Sequence, residues 1–168
     1  MFWFDWMSLA ILVGGAVIQT VRGIKAGGMG LPMFESLCLV IVTVGATNLS
    51  GGIAAALHVQ KATVMAVMFI VLGIGAFLLG RWLYAITDLS FQSMDGFFSF
   101  LFGLVTSYAI AHMVLRIIIE SQGVTGPVGS ALPNAPVARE VFEFRWWNWI
   151  VGLLFKAKLG PDFNPDVG

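Results

Sequence analysis

Three ionisable side chains, His112, Arg116 and Glu120, recur at intervals of four residues and stand in one column on a helix. Ionisable groups near membrane depth are expensive to hold in lipid, so such a column is a candidate proton or ion path. The plainer reading places only His112 inside an apolar run and makes Arg116 and Glu120 an i,i+4 pair at the water boundary. Asn48, with Ser50, Gly51 and Gly52 close behind, forms a polar, flexible notch in another apolar run. It would line a cavity, or mark where a helix bends or ends. Asp5 opens the first apolar run. It would pair with a basic residue of a neighbouring helix, or sit at headgroup level near a helix N-terminus, where the dipole favours a carboxylate. Arg22-Gly23 and Glu35 bracket the first polar loop; they would form an ion pair that fixes the loop, bind lipid headgroups, or simply flank two spans.

No Walker-type loop, GxSxG elbow, HExxH pair or CxxC pair is present in the sequence. The lone Cys38 excludes an intrachain disulfide, and no His/Cys cluster has metal-ligand spacing. The expectation is a protein that is not an enzyme, with no cofactor and no metal. Net charge is zero, with nine Lys plus Arg against nine Asp plus Glu, so nucleic acid has no electrostatic footing as a partner.

The elements that must carry these residues are membrane spans. Hydrophobic residues make up 58% of the chain and charged ones 11%, with a mean hydropathy of +0.91. A soluble domain would carry about 25% charged residues. Charges divide the chain into four apolar segments, near 4–21, 36–57, 62–80 and 97–115, each close to the roughly 20 residues that cross a bilayer. The fold class expected is all-α: an integral membrane four-helix bundle over 1–120. The first segment reads as a retained span, since Asp5 replaces a basic leader region and Arg22 follows the apolar run. Trp3, Trp6, Trp82 and Tyr84 suit the membrane interfaces. Arg22, Lys25 and Arg81 share one side and are expected in the cytoplasm.

Ser99, Gly103, Ser107 and Ala111 repeat every four residues along the fourth span. They make a flat ridge for close helix contact, within the bundle or against another protomer. The glycine-rich stretch 26–32 reads as a mobile turn or a shallow re-entrant dip, and 121–138, rich in Pro and Gly, as an irregular linker. Residues 139–168 read as an amphipathic interfacial helix and tail. Arg145, Asn148, Gly152 and Lys156 fall on one stripe, opposite Phe142, Trp146, Trp149, Ile150 and Leu153. Trp146, Trp147 and Trp149 would be its interface anchor.

The stretch Leu89-Ser90, then Met94-Asp95-Gly96-Phe97-Phe98-Ser99-Phe100-Leu101-Phe102-Gly103, resembles the colicin V production protein family. That family shows a Leu-Ser turn, then Asp, a small residue four later, and Phe-Gly opening its last span. Asp95, Ser99, Phe102 and Gly103 match in register, and Asp5, Arg22, Gly23 and Glu35 are similar to the family's acid, Arg-Gly and Glu positions. The resemblance covers about residues 4–120. Gly96 stands where the family usually has Arg, Ser99 where it has Gly, and Thr106-Ser107 where it often has Arg-Gly; a glycine-rich insertion separates Arg22-Gly23 from Glu35. The resemblance implies a four-helix bacterial inner-membrane protein linked to colicin export and envelope homeostasis, without known enzymatic activity.

Three functions are therefore expected in order. The first is a non-catalytic inner-membrane protein supporting secretion or envelope homeostasis through helix packing and assembly. The second is a structural accessory subunit of a larger membrane complex, docked through the Trp-rich segment. The third is a small ion or proton pathway formed by an oligomer. Partners expected are membrane lipids and a second copy or a membrane protein complex.

Overall fold

The computed structural model describes residues 1–90 and 92–143. Four long helices, α1 (Trp3–Ala26), α2 (Gly30–Leu57), α3 (Lys61–Thr87) and α4 (Asp95–Gln122), form a bundle. A 3-10 turn (Gln92–Met94) leads into α4; α5 (Pro127–Ala131), a second 3-10 turn (Leu132–Asn134) and α6 (Pro136–Glu143) follow it. All four long helices are apolar and long enough to cross a membrane, with mean hydropathies of 1.6, 1.8, 2.6 and 1.7 in their most apolar windows. The chain is a multi-pass membrane protein.

The distribution of side chains identifies the solvent. Large apolar residues point outward: Ile41 is 71% exposed, Leu78 65% and Ile74 59%. Small and polar ones point inward, among them Ala16, Ala46, Ser8, Ser50, Ser99 and Ser107. Water would drive the reverse arrangement. In lipid, helices associate through close packing of small residues and interhelical hydrogen bonds, and bulky apolar side chains lose nothing by facing outward. Several buried hydroxyls return to their own helix, as Ser8 does to the carbonyl of Phe4 at 2.8 Å and Thr43 to that of Leu39 at 2.9 Å.

α4 is the central helix. Half of its apolar window is buried, against 22 to 28% for the other three. It packs against α1, α2 and α3, while α2 and α3 pair along their length. The order α1-α4 and α2-α3 puts the α1–α2 and α3–α4 turns at one end of the bundle. The α2–α3 turn, the start of α1 and α5–α6 lie at the other.

The helices outrun the apolar segments. Spans expected at 4–21, 36–57, 62–80 and 97–115 are the cores of helices that run about five to seven residues further at one end each. Arg22, Lys25 and Glu35 therefore sit inside helices, and the first polar loop shrinks to Gly27, Gly28 and Met29. The helices end at left-handed residues: Gly27 at φ 82°, His58 at φ 55° and Asp88 at φ 45°. The glycine-rich stretch is a tight, packed turn and not a re-entrant dip. Gly30 donates its N–H to the carbonyl of Leu89 at 3.1 Å, and a Cβ on Gly30 would fall 2.9 Å from that same oxygen. Glycine is needed there for close approach of two turns.

Residues 121–138 also depart from an irregular linker. Pro127 and Pro136 occupy first helical turns, where a missing N–H costs nothing. Val128, Leu132, Ala135, Ala138 and Val141 bury against Phe4, Ala111, Leu115 and Ile119 of α1 and α4. The amphipathic stretch expected from 139 lies beyond the described residues after Glu143, Trp146, Trp147 and Trp149 included.

Candidate functional site

Three polar clusters pin the bundle, and two of them lie at the end formed by the α1–α2 and α3–α4 turns. In the first, Glu35 on α2 is fully buried and receives a two-pronged bond from Arg22 on α1, Nη2 to Oε1 at 2.6 Å and Nη1 to Oε2 at 2.7 Å. The planar guanidinium matches the two carboxylate oxygens, a geometry an ammonium could not reproduce. Gln19, one helical turn before Arg22, donates Nε2 to Oε2 of Glu35 at 2.9 Å and accepts from Arg22 at 3.1 Å. The Arg22 guanidinium carbon lies 5.8 Å from the Phe77 ring centroid, a cation–π contact that brings α3 into the cluster. Gly80 allows α3 to close over Glu35: a Cβ there would lie 2.8 Å from the Glu35 nitrogen and 2.9 Å from its Cα.

In the second cluster Asp95, at the start of α4, accepts the N–H of Met29 at 3.0 Å and the hydroxyl of Ser90. Tyr84 donates its hydroxyl to the carbonyl of Ala26 at 2.8 Å. One carboxylate and one phenol thus tie the two turns at this end together.

The third cluster sits at the opposite end. Asp5, fully buried in the first turn of α1, accepts the N–H of Phe2 at 2.9 Å through Oδ2. Its Oδ1 accepts the N–H groups of Val137 at 3.0 Å and Ala138 at 2.9 Å. These belong to the first turn of α6, whose N–H groups have no helical acceptor, and Ala135, which precedes α6, has no polar side chain to serve them. Asp5 caps a helix 132 residues away in sequence. Further along α6, Tyr108 donates its hydroxyl to the carbonyl of Glu140 at 2.5 Å, and His112 Nδ1 lies 3.1 Å from that of Val141. A carbonyl only accepts, so Nδ1 carries the proton in that bond. The Phe142 ring packs on the imidazole at 5.7 Å between centroids. α6 is clamped from both sides by bundle residues.

The expected column divides. His112 joins α6; Glu120 pairs with Lys61 at 2.9 Å and not with Arg116, because the start of α3 reaches the end of α4 at that height. Arg116 has no ion pair among the described residues. Asn48 does not face His112: it is exposed on the outer side of α2, which runs through the notch without ending, and Ser50 bonds back to Thr47 at 3.2 Å. A cavity of about 300 Å³ lies outside the bundle, beside Pro133, Asn134, Pro136, Arg139 and Glu140.

The small-residue ridge faces α1. A Cβ on Gly103 would meet the Ala16 carbonyl oxygen at 3.0 Å, Gly15 abuts Ser107, and Gly23 abuts Ser99. Ala111 is fully buried beside Phe4. The Ser99 hydroxyl is buried without a hydrogen-bond partner among the described residues. Phe102 is half-buried next to Gly103. Gln19 and Tyr108 were not singled out by sequence, and Tyr84 was expected only as an interface aromatic; Gln19, a polar residue inside an apolar run one turn before Arg22, carried the available signal.

The arrangement is one of capping and cross-bracing: Asp5, Glu35, Asp95 and His112, the ionisable groups closest to a catalytic look, each hold backbone or an opposite charge. Asp5→Ala is expected to release α6, with hydrogen exchange of residues 136–143 rising while the protection of α2 and α3 is kept. Two charge-assisted bonds to buried N–H groups put the local loss at about 2–3 kcal/mol. Fold and clusters define the class, a cross-braced four-span helical membrane protein. No protein-family model matches the chain, and neither does a curated protein or a solved structure.

Proposed function

We propose that this chain is a non-catalytic protein of the bacterial inner membrane, of the colicin V production type, that supports secretion or envelope homeostasis by assembling with other membrane components. The observation that carries this reading is the clamp on α6. Asp5 and His112, both buried, and the half-buried Tyr108 commit three polar groups to holding one short helix, after which the Trp-rich segment follows in sequence. Spending such groups on position makes sense where the following segment must emerge at a defined place. The resemblance adds support, since its residues are the joints: Arg22 binds Glu35, Gly23 meets Ser99, Gly103 meets Ala16, Asp95 braces the turns and Asp5 caps α6.

The same clamp favours the accessory-subunit variant, in which Trp146, Trp147 and Trp149 anchor a larger complex. Removing residues 144–168 tests both. The truncated chain is expected to keep its helical content in detergent, because the described contacts all lie before that point, and to lose co-purifying membrane proteins that the full chain retains. Retention of the same proteins by both forms would remove the segment from docking and leave the bundle surface to assemble alone.

A further inference from the structure

We propose that the outward face of α2 is a contact surface for a second copy of this chain, centred on Asn48. The assignment rests on the assembly reading and supplies it with a surface, because the ridge of α4 is consumed by α1.

Asn48 is chemically alone where it stands. Between the first two and last two turns of each long helix, it is the one exposed residue with a side-chain hydrogen-bonding group among the described residues. α2 is about 42 Å long at 1.5 Å per residue, and Asn48 lies about 7 Å from its midpoint, inside the roughly 15 Å half-thickness of the hydrocarbon. No water reaches that depth to satisfy a carboxamide. The amide offers donors and an acceptor on one group, so it is its own complement. A two-fold axis beside α2 would place the same amide opposite it, the geometry of an isologous interface.

The surrounding face has the matching period. Leu37, Ile41, Val44, Asn48, Gly51 and Ala55 fall at alternating intervals of four and three. That is the 3.5-residue repeat of a left-handed helix pair, in which one Asn in the seam fixes register and oligomer state. Leu37, Ile41 and Val44 are 53, 71 and 56% exposed. A Cβ on Gly45 or Gly52 would meet nothing within 4 Å, and one on Gly51 only the flexible Lys61 side chain at 3.9 Å, so among the described residues this face is open and a second backbone can come close. A partner of different sequence would not be bound to present an amide at the same height.

The test is association of the full chain in bilayers, read by energy transfer between separately labelled copies. Wild type is expected to pair reversibly. Asn48→Leu, which fits lipid and leaves the bundle contacts untouched, is expected to weaken pairing about tenfold, the middle of the range for interhelical polar bonds between model peptides in membranes. In a Cys38→Ala background, Val44→Cys is expected to cross-link copy to copy, and Val71→Cys, exposed on α3, is not. Wild type that stays monomeric, an unchanged affinity for Asn48→Leu, or cross-linking of Val44→Cys to a different protein would each overturn the proposal. The form lacking 144–168 is expected to pair as the full chain does, so failure of tail docking and failure of the α2 contact give different results.

Discussion

Arg22→Met is expected to destabilise the bundle by about 3–5 kcal/mol, more than Glu35→Gln does, although the two changes break the same ion pair. The asymmetry follows from burial. The Glu35 side chain is 0% exposed and that of Arg22 is 39% exposed. Without Arg22, the carboxylate stays inside the bundle with only Gln19 donating to it, and the charge is uncompensated in a medium of low dielectric. Without the Glu35 charge, the guanidinium can turn along its stem to the headgroup region, leaving its aliphatic part on Phe77. Unfolding of the detergent-solubilised protein, followed by tryptophan fluorescence, measures both. The double change Arg22→Met with Glu35→Leu is expected to recover most of the loss, because two apolar side chains of similar volume replace a desolvated pair. Equal losses for the two single changes would show that both charges are held with the same force, and a neutral Arg22→Met would remove the pair as a brace.

What could be read from the chain follows the physics of each signal. Four crossings were legible because long charge-free runs have no other stable home. Their ends were not, because a charge was taken to mark the edge of lipid. Arg22 and Glu35 neutralise one another, so both helices continue past them and stop only where Gly27, His58 and Asp88 turn left-handed. For His58 and Asp88 the sequence holds no sign of this. α5 and the first turn of α6 were hidden by their prolines, which end helices in the interior but start them at the first turn, while the rest of α6 falls where a helix was expected from 139. The role of Asp5 depends on backbone groups 132 residues away and carries no local pattern. The column His112, Arg116, Glu120 was correct as helical geometry, yet height along α4 decides its neighbours: α6 for the first and Lys61 for the last. The ridge of α4 was legible, since small residues at intervals of four have few other uses in lipid, but the helix that fills it was not.

Gly103→Leu together with Ser107→Leu is expected to abolish the packed bundle, a loss above about 4 kcal/mol, the range reserved for core overpacking of this severity. The atoms in the way are mostly backbone. A first carbon at residue 103 already reaches 3.0 Å from the Ala16 carbonyl oxygen and 3.3 Å from the Ala16 Cα, so no rotamer change on α1 makes room. Three further carbons must push α1 off α4. Both ends of α1 then lose their fixings, Arg22 its reach to Glu35 and Asp5 its reach to α6, which is why a local clash becomes a global failure. Insertion should survive, because each helix keeps its own hydropathy. The double variant is therefore expected to reach the membrane fraction at normal yield while losing protease resistance and thermal stability in detergent. Gly75→Leu is the control: a Cβ there meets nothing within 4 Å, the residue faces lipid, and leucine is the better helix former by up to about 1 kcal/mol. Glycine in general would make positions 75 and 103 respond alike. Close contact between α1 and α4 makes them respond oppositely, and that difference is what separates a bundle held by backbone proximity from four helices merely sharing a bilayer.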